Sequence, residues 1–377
     1  VKQACSEGKL ALAYNCSYIP EPLLDIDGCF SVRLRAPGCV NPDLATYYMT
    51  NRSCPYSKSI LERAFEGGYN FISALVGQEC CTTMNRMEQY FEYCKLIPNE
   101  KFFVCCIDMP TKKGEWYAGY FRRQIEKKII APMKEVYGVD FSDEKILDAI
   151  ERHNELCRII TEIGDFRKLD NPPITGYEFH VIQLVSEVCP KYLIIDKLRE
   201  TLEELKTRKP DENPPFRTRV MLAGSEIDDP EFTKLVEMCG ALVVADRYCF
   251  GSLPGREQIV VNEGQDPLDA LAEHYMKINE CPRTMGTESI ISRKNYLYDV
   301  AKDYNAEGII LQNMKFCEYW GYERAIAAKW LAEGLNVPTA IPTCQIERDY
   351  ANAATGQLRT RFQAFVESLE IKRLQAE

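Results

Sequence analysis

The chain has 377 residues, 46% of them apolar, which is enough for two or three domains with sizeable cores. Its 46 basic and 56 acidic residues leave a net charge of −10, which argues against nucleic acid or an anionic membrane as the main partner. No apolar run approaches the roughly 18 residues that mark a membrane-spanning helix. The first sixteen residues lack the charged region, long apolar core and small-residue cleavage site of a signal peptide. A cytoplasmic location is therefore expected, and because the first residue is Val rather than Met, there is room for residues upstream.

In chain order, Leu10 to Tyr14 reads as a short strand that ends at Asn15-Cys16-Ser17. Pro20, Glu21 and Pro22 then start a brief helix, since proline is tolerated in a first helical turn. Phe30 to Leu34 alternates as a strand. Cys54-Pro55 opens a helix whose buried face is Ile60, Leu61, Ala64 and Phe65, and Gly67-Gly68 ends it. Phe71 to Val76 is the next strand, and residues 77–81 are the turn after it. A helix from Thr82 to Tyr93 and a strand from Phe102 to Ile107 follow. This βα alternation predicts a doubly wound parallel sheet over residues 1–140.

Strand signal almost vanishes from 115 to 208, where Trp116–Val136, Asp143–Ile163 and Tyr177–Lys206 carry long amphipathic patterns. The fold class is α/β, with two Rossmann-like parallel-sheet domains joined by a helical segment. The expected boundaries are 1–140, a helical connection at 141–213, and 214–377. In the last of these, Arg217–Ala223 and Leu242–Ala245 read as strands. Asp246-Arg247-Tyr248 reads as a loop at a strand end, facing a site or closing a surface turn. Gly308–Leu311 is a strand. Tyr322, Ile326 and Trp330 mark an amphipathic helix that begins at Cys317, and Val337–Ile341 resumes as a strand.

Seventeen cysteines form no compact disulfide framework, and their odd number leaves at least one unpaired. No C-x-x-C is present, and there are only three histidines, so zinc-ribbon and His-based zinc sites are not expected. Cys54 opens a helix, and Cys81 and Cys317 each follow a strand and start a helix. A thiol at a helix N-terminus is held as thiolate by the helix dipole. Three such thiols converging on a cleft between two α/β units would hold a [4Fe–4S] cluster with one iron open to substrate. The competing reading of each is an ordinary buried thiol.

These segments resemble the family of 2-hydroxyacyl-CoA dehydratase and benzoyl-CoA reductase subunits. The matching pieces are Pro20-Glu21 after the first strand, Cys54-Pro55-Tyr56, and Cys81 with Met84 and Arg86. Further on come Met314-Lys315-Phe316-Cys317-Glu318 and the closing run Gly356 to Phe365. The resemblance implies paired subunits, a three-cysteine [4Fe–4S] cluster and a separate ATP-dependent Fe–S activator that injects a low-potential electron. It also implies an acyl-CoA substrate that passes through a ketyl radical to ring reduction or to dehydration of an (R)-2-hydroxyacyl-CoA. The Cys54 segment and the ending lean slightly towards the reductase side. A related branch, homodimeric double-cubane [8Fe–9S] reductases of small molecules, and a non-catalytic electron-transfer subunit are the alternatives. The partner is accordingly a homologous second subunit or a second copy of the chain.

Where many relatives have Cys-Asp, this chain has Cys80-Cys81-Thr82, so Cys80 is a neighbouring thiol or an extra ligand. Cys16, Cys106, Cys249 and Cys344 also fall at or near predicted strand ends. Glu318, beside Cys317, is a candidate to move a proton or orient a ligand, or else plain capping of the helix start. Ser17 and Glu21 are candidate catalytic residues at the first sheet edge, or helix caps. Arg359 and Arg361 are candidates for CoA phosphate contact, or a solvated helix face. No G-x-G-x-x-G follows a strand and no Walker A motif is present, so neither an NAD site nor an ATP site is expected on this chain.

Overall fold

The computed structural model describes all residues except 80, 113, 211–214, 253–255, 278–280, 336, 351–354 and 377. The chain forms two compact units. One comprises Val1–Ile159, Val185–Lys197 and Pro254–Thr284; the other comprises Ile160–Leu184, Leu198–Leu253 and Met285–Glu377. The chain thus enters and leaves each unit more than once. A linear reading does not show this, because the segments that return to the first unit are helices and loops with no strand of their own.

In the first unit, β1 (Leu10–Tyr14), β2 (Cys29–Arg33), β3 (Ala74–Gln78) and β4 (Phe103–Ile107) form a parallel sheet in the order β2-β1-β3-β4. β1, β2 and β3 are almost wholly buried, as expected of a parallel sheet covered on both faces by its crossover helices. Around β1, β3 and the helix Glu115–Ile125, a core of Leu12, Val76, Ile107, Phe121 and Ile125 reaches to Leu268, Leu271 and Tyr275 of the returning helix Pro267–Lys277. Arg122 ties these helices together through Asp266 (2.8 Å) and Asp269 (2.6 Å). Such half-exposed pairs contribute about 0–1 kcal/mol each, so apolar burial carries the packing.

In the second unit, β5 (Thr218–Gly224), β6 (Ala241–Tyr248), β7 (Gly308–Met314) and β8 (Thr343–Arg348) form a second parallel sheet in the order β6-β5-β7-β8. In both sheets the order runs second, first, third, fourth strand. Each therefore has a switch point between its first and third strands, where crossovers diverge to opposite faces and a crevice opens at the carboxyl ends.

Four expectations differ from the structure. The strand expected at Val337–Ile341 is instead Thr343–Arg348. Pro338 and Pro342 lack the N–H a strand must donate, and pairing with β7 starts only at the Pro342 carbonyl, which accepts from Ile309. Asp246-Arg247-Tyr248 is no loop: β6 runs through Tyr248 and all three residues are buried. The long pattern Tyr177–Lys206 is two helices, Gly176–Val188 and Lys191–Leu205, broken at Pro190, which cannot donate to the turn before it. Gly77 and Gln78, expected in a turn, instead complete β3.

Candidate functional site

The three cysteines singled out from sequence all stand at helix N-caps. Cys54 caps the helix Pro55–Phe65 and is 9% exposed; Cys81 caps Thr82–Tyr93 and Cys317 caps Glu318–Ala332, both half-buried. None of the three thiols caps an amide through its side chain. Cys54 and Cys81 belong to the first unit and Cys317 to the second. Cys81 and Cys317 occupy the same topological position, directly after the third strand of their sheets. The Cys317 turn is strained: Cys317 N–H donates to Met314 O at 3.1 Å across Phe316, whose φ of 60° is the left-handed conformation that such a turn normally gives to glycine. Cys81 Sγ lies 3.4 Å from the Thr83 hydroxyl, a donor suited to a thiolate.

The three thiols stand at the positive ends of helices and form no disulfide among the described cysteines, so each is a donor of the kind that ligates iron–sulfur clusters. Among the described residues no group of three His, Cys, Asp or Glu side chains gathers as it would around a single metal ion. Cys80 lies outside the described residues.

The first switch point also gathers polar groups that sequence reading did not single out. Asn15, Gln78 and Glu88 are each at most 2% exposed. Asn15 Nδ2 donates to Glu88 Oε1, the Cys106 thiol also hydrogen-bonds Glu88, and Cys16 Sγ donates to Gln78 Oε1 at 3.3 Å. Asn15 Oδ1, Gln78 Nε2 and Glu88 Oε2 are shielded from solvent and have no hydrogen-bond partner among the described residues. Burial raises the Glu88 carboxyl to about 7 against the hydrogen bonds from Asn15 and Cys106, and charge on Cys81 adds to the rise. At Gly77 a Cβ would sit 2.2 Å from this carboxyl group, so glycine there makes room for Glu88. The sequence signal was the seven-residue step from Cys81 to Glu88, two helical turns along one face.

The second switch point repeats the pattern. Ser225 Oγ donates to Gln312 Oε1 at 3.2 Å and accepts from Met314 N–H at 2.8 Å. Gln312 Nε2 and Asn313 Oδ1 are buried without a partner among the described residues. Each crevice therefore holds one unsatisfied amide donor and one unsatisfied amide acceptor, an arrangement that costs stability unless something polar fills it.

The remaining candidates are scattered. Ser17 is half-buried in the turn that ends β1. Glu21 points instead into an internal network. Its carboxylate meets Lys191 Nζ at 2.6 Å, accepts from Tyr14 Oη at 3.1 Å and Ser31 Oγ at 3.3 Å, and lies 3.9 Å from His153 Nδ1. Burial opposes its charge, but Lys191 and His153 outweigh that and hold it at about 2. Glu318 is exposed in the first turn of its helix. Asp246 pairs with Arg167 at 3.0 Å and accepts from Gln183, an internal ion pair of the second unit. Cys249 follows β6, Cys344 is the second residue of β8 and Cys106 lies in β4. Arg359 and Arg361 are exposed on the closing helix Thr355–Ala376.

Two parallel sheets, each with a cysteine at the N-cap position of the helix after its third strand, define the class of protein: a paired α/β scaffold. Residues 16–369 match the family described as 2-hydroxyglutaryl-CoA dehydratase, D-component, and the chain belongs to this family. It is similar to the (R)-phenyllactyl-CoA dehydratase beta subunit of Clostridium sporogenes, 25% identical over 96% of this chain and 92% of that one. It is also similar to the (R)-2-hydroxyglutaryl-CoA dehydratase subunit beta of Acidaminococcus fermentans, 22% identical over 97% of this chain and 93% of that one. A third relative, the lactoyl-CoA dehydratase subunit beta of Anaerotignum propionicum, is 21% identical over 96% and 92%. All three are dehydratase subunits, and they lend no support to the slight leaning towards benzoyl-CoA reduction. No helix of the described residues is long and apolar enough to cross a membrane.

Proposed function

We propose that this chain is the beta-type subunit of a 2-hydroxyacyl-CoA dehydratase, working with a homologous partner subunit and an ATP-dependent Fe–S activator. The observation that carries the reading is the shared placement of Cys81 and Cys317, each capping the helix after the third strand of its sheet, in a chain matched to the family almost end to end. Cys54, Cys81 and Cys317 would hold a [4Fe–4S] cluster. When bound, such a cluster supplies one-electron chemistry at low potential.

The chain's own residues define what surrounds that chemistry. The helix N-termini at Cys54, Cys81 and Cys317 favour thiolates. Glu88 holds a proton at its carboxyl near neutral pH, shielded from bulk solvent. Asn15 fixes Glu88 Oε1, leaving Oε2 to give or take that proton. The reaction is loss of water from a 2-hydroxyacyl-CoA thioester, a net elimination that needs a leaving hydroxyl protonated and a carbon-bound proton removed.

The test is iron and acid-labile sulfide per chain in protein purified without oxygen, for the wild type and for Cys54→Ala, Cys81→Ala and Cys317→Ala. About four irons per wild-type chain, lost in each variant, support the reading. About eight would move it to the double-cubane branch. No iron, or unchanged iron in all three variants, overturns it. Dehydration of 2-hydroxyacyl-CoA thioesters with partner and activator then separates a catalytic subunit from one that only transfers electrons.

A further inference from the structure

A second group of reactive type lies in the first unit, on the helix Asp143–Asp165. His153 and Cys157 are one helical turn apart, with His153 Nε2 at 3.4 Å from Cys157 Sγ. The other ring nitrogen, Nδ1, faces the Glu21 carboxylate at 3.9 Å. Glu21 is held in turn by Lys191 and Tyr14. Thiol, imidazole and carboxylate thus stand in the order that activates a cysteine nucleophile, with the ring between the sulfur and an anchored acid. None of these residues is among the cysteines assigned to the cluster.

Two further observations single this group out. His153 and Lys191 line a cavity of about 200 Å³, together with Asp25, Arg152 and Tyr192. Arg256 lies near enough to act on the Cys157 charge, and its Nε and Nη2 are shielded from solvent with no hydrogen-bond partner among the described residues. Cys157 itself is only 6% exposed, which restricts it to an electrophile not much larger than water.

We propose that Cys157, with His153 and Glu21, is a thiolate site that reacts selectively with small hydroperoxides. The sulfur attacks one peroxide oxygen; an S–O bond forms and the O–O bond breaks. Sulfur is oxidised by two electrons and the peroxide is reduced by two. The departing oxygen, hydroxide from hydrogen peroxide or alkoxide from an alkyl hydroperoxide, takes the proton from His153 Nε2 and leaves as water or alcohol, and Cys157 is left as a sulfenic acid.

The electrostatics agree with this geometry. Burial opposes the Cys157 thiolate, but the His153 charge and hydrogen bond, with Arg256, outweigh it and bring the thiol below its ordinary range. Burial likewise opposes the imidazolium, yet Cys157 and Glu21 raise His153 to about 9. The other groups facing the pair are Lys191, whose charge opposes the His153 imidazolium; His274, which burial and the His153 charge depress to about 4; and Tyr275, which stays protonated. By contrast Cys29 and Cys105, buried to the same degree, are pushed up to about 12 by desolvation, Cys29 also by Asp25 and Cys105 by Glu88.

The experiment treats the anaerobically purified chain, with a chelator present, with hydrogen peroxide. After catalase quenching, the protein is denatured, its surviving thiols are alkylated, and the loss at each cysteine is read by peptide mass spectrometry. Cys157 is expected to be lost at least about tenfold faster than Cys29 or Cys105, at a rate that rises less steeply with pH than that of an ordinary thiol, which speeds up about tenfold per pH unit below its own range. The bulkier N-ethylmaleimide should leave Cys157 unlabelled in the native chain. His153→Gln should slow the loss about tenfold. Loss at Cys157 no faster than at Cys29, or with the slope of an ordinary thiol, overturns the proposal, and the comparison within the wild-type chain decides it even where His153→Gln fails to fold.

Discussion

The two units are built to one plan and differ in how they treat a buried glutamate. Each places a cysteine at the start of the helix after its third strand, and each buries a glutamate about two turns further along, Glu88 after Cys81 and Glu323 after Cys317. In the second unit Arg293 Nη2 meets Glu323 Oε2 at 3.0 Å and Lys294 pairs with Oε1, and both cations are fully buried. Burial opposes the Glu323 charge, but these cations outweigh it and keep the carboxyl below its ordinary range. Glu88 has hydrogen bonds from Asn15, Cys106 and the Gln78 backbone, all weaker support than a cation, so burial wins and the carboxyl rises to about 7. Secondary structure alone therefore does not set proton affinity. The deciding factor is whether a neighbouring helix brings a cation, as Thr287–Asp303 does for Glu323.

The largest expected effect breaks the clamp. Glu323→Ala strands Lys294 and Arg293 without a counter-charge in the interior and should cost about 3–5 kcal/mol. Glu88→Ala, with no cation to strand, should cost clearly less. Urea denaturation of both variants checks this, and equal losses would mean that the two glutamates are held alike.

The glycines at the two switch points come next. At Gly224, which has φ 157°, a Cβ would lie 2.1 Å from the Gln312 carbonyl oxygen, a backbone atom that cannot swing away. Gly224→Ala should therefore cost about 3 kcal/mol or more. At Gly77 the obstacle is the Glu88 carboxyl group, a side chain that can turn, so Gly77→Ala should cost about 1–3 kcal/mol and disturb the Glu88 titration as well. Denaturation midpoints rank the two, and the reverse order would contradict the close approach at Gly224.

The two glutamates should also respond to pH with opposite signs. Glu88 in the folded chain keeps its proton up to about 7, against an ordinary value of 4.5. Between those values the folded state binds the extra proton, so raising the pH from 4.5 to 7 lowers stability, by up to roughly 3 kcal/mol, and the loss then levels off. Glu88→Gln should remove that slope. Glu323 is depressed, so its contribution is present above its ordinary 4.5 and is lost as the pH falls further. Stability measured against pH for wild type, Glu88→Gln and Glu323→Gln resolves the two trends.

A smaller effect is local to one helix end. Asp229 caps Pro230–Glu237, its Oδ1 accepting from Glu231 N–H at 3.1 Å, and Asp229→Ala should cost about 1 kcal/mol by thermal melting. A change well above that would give Asp229 a role beyond capping.

Much of the architecture was legible along the chain because parallel strands buried on both faces announce themselves. Runs such as Leu10–Tyr14, Thr218–Gly224 and Gly308–Met314 are short, apolar and followed by helix starts. Prolines caused two of the misreadings. Pro190 splits what reads as one helix, and Pro338 with Pro342 delays β8, because a missing donor changes pairing without changing hydrophobic pattern. Among candidate site residues, the positions of Cys54, Cys81 and Cys317 at helix starts follow from local sequence, since an N-cap is a local event. Glu88 was passed over because nothing beside it in sequence marks it as buried without a cation. Glu21 was read as an edge residue because Lys191, which captures it, lies 170 positions away.

Sequence alone thus determined the α/β alternation, the three helices that start at cysteines and the resemblance to the dehydratase family. These rest on periodicity, capping chemistry and local motifs within some twenty residues. Only the tertiary structure decided that the two sheets share one strand order, with no close repeat in sequence to announce it. It also decided that Asn15, Gln78 and Glu88 meet at one crevice, and that His153 and Cys157 face Glu21 across an internal network. The physical reason is that charge, desolvation and orphaned hydrogen-bonding groups depend on what lies within a few ångströms in space, whatever the separation along the chain.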